Sequence, residues 1–208
     1  MTIAILGGSF NPPHVCHLFA LQYMLAASDV EQAWLLPCYQ HAFGKPLAPF
    51  EHRLAMCQLA VSDFRDERVR ALPLERDRQG TSWTIETVRY IKRLRPNDDL
   101  LWAVGSDVLS ELDRWKAFDE LQRLITFFVI PRAGFSPLSA PAAPFLSEEA
   151  AATLRRLRQQ ARELEQHGIF LPNISSSLIR DRIQQRQPIR HLVPASVAAY
   201  IDAHRLYA

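Results

Sequence analysis

Cysteine is scarce in this chain of 208 residues: Cys16, Cys38 and Cys57 are the only three. An odd number with no C-x-x-C pair excludes a disulfide framework and a cysteine zinc cluster, and fits a reducing, cytoplasmic setting. Long hydrophobic runs are missing as well. No stretch approaches the roughly 18 apolar residues of a membrane span, and the first residues lack the basic flank, apolar stretch and cleavage site of a signal peptide. We therefore expect neither a membrane partner nor secretion. Charge of one sign is also lacking, with 24 Lys plus Arg against 22 Asp plus Glu and a net charge of +2, too weak a field to point to nucleic acid. What is abundant is apolar: 48% of residues are hydrophobic and 22% charged, which excludes a disordered chain and predicts one globular domain over 1–208.

Strands and helices alternate along the sequence. Thr2 to Leu6 is an apolar run ending at Gly7-Gly8, the pattern of a strand buried on both faces and followed by a tight turn. A helix is expected from His14 or Cys16 to about Ala27, a strand at Ala33 to Leu36, a helix from Phe50 to Phe64 and a strand at Val69 to Leu72. The spacing then predicts a helix over Thr84 to Leu94, a strand at Leu100 to Val104, short helices at Val108 to Leu112 and Ala117 to Arg123, and a strand at Ile125 to Ile130. This alternation implies an α/β fold, a mostly parallel sheet covered on both faces. From Ala133 to Phe145 three prolines interrupt the rhythm and predict an extended surface excursion, continuing into an Arg-, Gln- and Glu-rich helix capped by Ser147 and closed by Gly168. Leu154, Leu157, Ala161 and Leu164 form its packing stripe. Ile169 to Leu171 is expected to return to the sheet, Ser175 to Ser177 to open a helix, and Ala195 to His204 to form the last one.

The segment Gly7-Gly8-Ser9-Phe10-Asn11-Pro12-Pro13-His14-Val15-Cys16-His17 carries the clearest chemistry. Small residues after a buried strand let a phosphate approach the backbone, and the following helix start offers unpaired N–H groups and partial positive charge. The segment is not a Walker loop and lacks the spaced glycines of a dinucleotide fingerprint. His14 and His17 stand three apart at the mouth of the helix, where both rings can face one polyphosphate. A helix-capping histidine and a metal pair are the other readings. H-x-x-H lacks the H-E-x-x-H spacing and a third ligand, which disfavours metal. Ile174-Ser175-Ser176-Ser177-Leu178-Ile179-Arg180 is a second anion-suited start, with a serine cap and an Arg one turn along; a plain serine N-cap with a surface Arg reads the same.

These two segments resemble, in order, the G-G-[ST]-F-[DN]-P-x-H-x-G-H and I-S-S-[TS]-x-I-R signatures of the nucleotidyltransferase superfamily. Between them Gly80 to Thr87 is similar to the S-Y-T-x-[DE]-T element of nicotinate (nicotinamide) mononucleotide adenylyltransferases. Gly105-Ser106-Asp107, Trp115-Lys116, Arg132 and Ile189 to Pro194 resemble the other elements of that family. The likeness spans nearly the whole chain, excepting the excursion and its helix.

The resemblance implies a Rossmann-like fold of nucleotidyltransferase type. It implies that His14, His17, Ser9 and Arg180 hold ATP phosphates, with His14, His17 and Arg180 catalytic. Gly7, Gly8, Phe10, Gly105, Asp107, Ile174, Ser175 and Ser176 would complete the ATP site, and Thr84, Trp115 and Arg132 would bind the pyridine mononucleotide; where the family commonly carries P-P-H-K after the second strand this chain runs from Pro37 to Lys45, and Lys45 is the candidate phosphate-facing cation on the substrate instead. An aromatic ring stacking on Trp115 fits the physics of a planar substrate. Mg²⁺ is expected with ATP as substrate, and no protein metal centre. The implied reaction transfers AMP from ATP to nicotinate mononucleotide; the amide substrate and a nucleotide-binding regulator with a decayed site are the alternatives, and a homo-oligomer stays open. Cys16 replaces the usual glycine between the histidines, which disfavours a positive φ there; a small side chain in the first helical turn is expected to be tolerated, and the thiol is a candidate for alkylation. The segment Leu47 to Met56 looks closer to the amide branch.

Overall fold

The structure, a computed structural model, describes residues 1–133 and 146–208. Five parallel strands make one sheet in the order β3-β2-β1-β4-β5, with β1 at Thr2–Gly8, β2 at Gln32–Pro37, β3 at Val69–Ala71, β4 at Asp99–Gly105 and β5 at Thr126–Ile130. The registers set Ile5 opposite Trp102, Leu35 opposite Ala71 and Val104 opposite Val129. Ile3, Ala4, Ile5, Leu35 and Leu36 have no exposed surface, as parallel strands covered on both sides require.

The chain divides into two compact units, and β1 contributes its first residues to one and its last to the other. The first unit comprises Met1–Ile5 and Trp83–Asn173. In it α4 (Thr84–Leu94), α5 (Phe118–Leu124) and α6 (Glu148–Gln166) accompany β4 and β5. Helix α4 buries Ile85, Thr87, Val88 and Ile91, one stripe of a 3.6-residue period. Helix α6 starts at Ser147, whose hydroxyl accepts the Ala150 N–H, and it buries Ala150, Leu154, Leu157 and Ala161. Its Leu164 is only half-buried.

The second unit comprises Leu6–Ser82 and Ile174–Ala208. It holds α1 (Val15–Ala27), α2 (Phe50–Phe64), α3 (Leu74–Arg78), α7 (Ser176–Gln184) and α8 (Ala195–His204). Met56, Ala60, Ile179, Leu192, Val193, Val197 and Ile201 form an apolar cluster that joins α2, α7 and α8. Burying each such side chain contributes about 1.5–3 kcal/mol.

Most expected elements fall where the pattern placed them, with four differences. Helix α3 was not foreseen: five residues are too few for a periodic signal, and Pro73 precedes them. The helix expected over Val108 to Leu112 is instead two single 3-10 turns, Ser106–Val108 and Leu112–Arg114, because one turn of apolar residues cannot distinguish the two helix types. Ile169 to Leu171 forms no strand; Leu171 makes one isolated parallel bridge to Arg132. Cys16 takes ordinary helical backbone in α1, as the expected tolerance requires, but it is 4% exposed, so the thiol expected to be open to alkylation is shielded. The proline-rich segment of the expected excursion lies outside the described residues. No described helix is long and apolar enough to cross a membrane.

Candidate active site

In the second unit the loop between β1 and α1 is assembled from within. Phe10 turns the chain with a φ of 44° and is 1% exposed, its ring lying so close over Gly8 that a Cβ there would meet the ring at 3.2 Å. That close approach is why glycine stands at position 8. His14 occupies the N-cap of α1 and its backbone N–H donates to Nδ1 of His17 at 3.1 Å. The capping reading of the pair is therefore correct for His17, and it has a chemical result. With Nδ1 accepting, the neutral ring carries its proton on Nε2, so His17 has one further N–H to donate. The two imidazoles stack with centroids 3.7 Å apart, and Phe10 meets the His17 ring edge-on at 4.8 Å. His14 is 3% exposed, whereas His17 is half-buried.

Helix α7 begins against the same loop. Ser175 caps it, its Oγ accepting the Leu178 N–H at 3.2 Å. Ser176 Oγ donates to the Pro12 carbonyl at 2.8 Å, and Arg180 Nη1 donates to the Asn11 carbonyl at 2.8 Å. Two helix starts, each a ready site for an anion, thus meet at Asn11-Pro12. Ile174 packs against the apolar cluster of the unit. Lys45 is exposed on the 38–48 loop.

Arg53 was not anticipated and is the hub of this unit. It is 1% exposed, and its guanidinium donates to the carbonyls of Ala48 and Ser9 at 2.9 Å and of Tyr39 at 3.4 Å, with Cys38 Sγ at 3.8 Å. One buried cation so ties the β1–α1 loop to the 38–48 loop. Ser82 and the buried Glu75 hold the same loop from behind, both accepting the Tyr39 N–H. The signal for Arg53 was available: it lies on the stripe Phe50, Arg53, Leu54, Cys57 of α2, a charge at a core position. Burial pushes the Cys38 and Cys57 thiols up, against the pull of Arg53, so neither is a thiolate nucleophile. Burial, with Lys45 and Arg53 adding to it, pushes the His41 imidazole down.

The first unit holds the other expected residues. A Cβ at Gly105 would run into Asp107 Oδ1 and lie 3.3 Å from Arg132 Cδ. Asp107 Oδ2 accepts from Arg132 Nη1 at 3.0 Å, and the Arg132 backbone N–H donates to Ser106 Oγ at 2.9 Å. Asp107 Oδ1 is buried with no hydrogen-bond partner among the described residues. Trp115 is half-buried, as is Thr84 at the start of α4, so Trp115 is not an ordinary core residue. Next to it Lys116 lies 5.9 Å from the centre of the Trp83 ring and bonds Glu86 at 2.9 Å. That bond to Lys116 holds the Glu86 carboxyl below its usual range. Among the described residues no group of three or more His, Cys, Asp or Glu is placed to hold a metal ion.

Sheet order and the helices along it define an α/β protein built on a parallel sheet. A family model described as cytidylyltransferase-like matches residues 5–182. A probable nicotinate-nucleotide adenylyltransferase of Anaeromyxobacter dehalogenans is 38% identical over 99% of this chain and 96% of its own. One of that name from Synechococcus is 40% identical with the same coverage. The Plasmodium falciparum nicotinic acid mononucleotide adenylyltransferase complexed with NaAD shares the fold, with a TM-score of 0.71 at 19% identity over 99% of this chain and 97% of that one. The chain belongs to the cytidylyltransferase-like family, among its nicotinate-nucleotide adenylyltransferases.

Proposed function

We propose that the chain transfers the adenylyl group of ATP to nicotinate mononucleotide, forming the deamido dinucleotide and pyrophosphate. The observation that carries this reading is the meeting of two helix starts at Asn11-Pro12, one bearing the His14–His17 pair and the other Arg180. The names of the full-length relatives favour the acid over the amide.

A phosphate oxygen of the mononucleotide attacks the α-phosphorus in line. The new O–P bond forms as the bond to the bridging oxygen breaks, and pyrophosphate leaves with that electron pair. The nucleophile is already ionised, so no base or covalent intermediate is needed, and rate comes from position and from charge stabilisation. His17 Nε2–H, His14 and the Arg180 fork are the donors assigned to the phosphates, with Ser9 and the N–H groups that open α1. Gly7, Gly8, Phe10 and the α7 start (Ile174, Ser175, Ser176) are assigned to the nucleotide. Gly105 and Asp107 are assigned to it as well, Asp107 offering the unpaired Oδ1. Trp115, Thr84, Arg132 and Lys45 are assigned to the mononucleotide. Mg²⁺ arrives as part of the ATP substrate, where it neutralises phosphate charge. We assign the reaction to the cytoplasm, which suits three free thiols, and to the chain working as one catalytic domain.

The test is pyrophosphate release from MgATP with nicotinate mononucleotide and, separately, with the amide. Release with the acid and at least tenfold less with the amide is expected. Equal rates would overturn the choice of substrate, and release with neither would overturn the activity.

A further inference from the structure

Asn11 belongs to the phosphate loop yet has no assigned role, although three bonds converge on it. It is 3% exposed. Its Oδ1 accepts from the Tyr207 hydroxyl at 2.9 Å and from the Ala48 N–H at 3.1 Å, and its carbonyl accepts from Arg180 Nη1 at 2.8 Å. Tyr207 lies beyond α8, 196 residues away in sequence, and its ring packs against the cluster of Met56, Ile179, Val197 and Ile201.

We propose that Tyr207 is a positioning residue for the phosphate loop: its hydroxyl fixes the Asn11 amide, and through Asn11 it fixes the Arg180 guanidinium and the approach to His14. The inference rests on the function assigned above. Two further observations agree with it. Tyr207 has a φ of 67°, a left-handed backbone that a bulky residue keeps only where its surroundings hold it there. Burial also raises the phenol above its usual range in spite of Arg53 and Arg180, so the hydroxyl keeps its proton and remains the donor to Oδ1. Asn11 is thereby clamped from three directions: from beyond α8, from the 38–48 loop and from α7. A change at one clamp shifts the carbonyl on which the Arg180 fork is registered, and a small misplacement of a charge-stabilising group lowers rate more than affinity.

The variant Tyr207→Phe keeps the packed ring and removes only the hydroxyl. A decrease in kcat of about 3- to 10-fold is expected, the size of one neutral hydrogen bond, with both KM values within about twofold. In an Asn11→Ala background the same change should have no further effect on kcat, since the hydroxyl then has nothing to hold. Hydrogen exchange of the peptide covering residues 9–14, which needs no activity, should be faster in Tyr207→Phe than in wild type. A Tyr207→Phe protein with wild-type kcat and wild-type exchange but a lower Tm would overturn the proposal and leave Tyr207 as packing alone. Independent, additive losses in the double variant would overturn it as well. A wild-type chain that releases no pyrophosphate would instead sink the activity assigned above, while the exchange comparison would still decide the Tyr207–Asn11 link.

Discussion

Replacing His17 separates two roles that one ring performs. Nδ1 of His17 accepts the His14 N–H at 3.1 Å, and the ring packs between His14 and Phe10. His17→Ala removes that capping bond, at a cost of about 0.5–2 kcal/mol to the start of α1, which for a chain of this size lowers Tm by roughly 1–8 °C at about 2–4 °C per kcal/mol. It also removes the Nε2–H assigned to the phosphates, and losing one preorganised donor to developing charge would lower kcat by about 10²- to 10³-fold. His17→Asn divides the two. Its Oδ1 sits where Nδ1 was and can accept the same N–H, while nothing replaces Nε2. The expected result is a Tm close to wild type with kcat still reduced about 10²-fold or more. The assay is pyrophosphate release from MgATP and nicotinate mononucleotide at saturation, paired with thermal melting of each protein. Wild-type turnover by His17→Asn would refute the reasoning, because the ring would then be a cap and nothing else.

Three other outcomes follow from the geometry. Trp115→Ala should raise KM for nicotinate mononucleotide about tenfold or more, the order of one aromatic stacking contact, while leaving KM for ATP in place; steady-state kinetics with each substrate varied would expose an equal effect on both, which the assignment does not allow. Gly105→Ala should keep the fold but turn Asp107 away from Arg132, lowering kcat/KM about tenfold through loss of a charged hydrogen bond, and wild-type kinetics would show that Asp107 is idle. His41 has its pKa lowered in the folded state, so between that lowered value and its ordinary one the unfolded chain binds more protons. Stability is therefore fully present above about pH 6.5 and is lost as pH falls through the window; urea titrations should show this loss reduced in His41→Gln, and an unchanged pH slope would count against it.

The parallel sheet was legible because its strands are continuous apolar runs between helices of clear period, as at Ile3 to Ile5 and Thr84 to Leu94. The starts of α1 and α7 were legible because glycine, proline and a serine cap punctuate the alternation there, while the phosphate role assigned to them came from the resemblance. Less visible was everything that depends on long-range partners. Arg53 looks like any helical arginine until α2 is known to turn that face inward, and Asn11 looks like a turn residue until Tyr207, Ala48 and Arg180 are found on it. Short elements failed for a different reason: α3 and the two 3-10 turns hold too few residues for a period to be read, and the single bridge at Leu171 has the same apolar sequence as a strand. Cys16 is the converse case: a small side chain in the first helical turn can replace the motif glycine, and α1 takes it without strain.

Arg53 is a cation surrounded by three carbonyls and a thiol sulfur, all without formal charge. A desolvated charge of this kind is outside the reach of mobile ions, which screen exposed groups within about 8–10 Å at physiological salt. Beneath the loop its charge is offset in part by the buried Glu75, which holds the other face of the Tyr39 peptide. At the proposed polyphosphate site the pull of Lys45, at the surface, would therefore fade as ionic strength rises, while whatever Arg53 adds beyond Glu75 would persist, since it originates where salt does not reach.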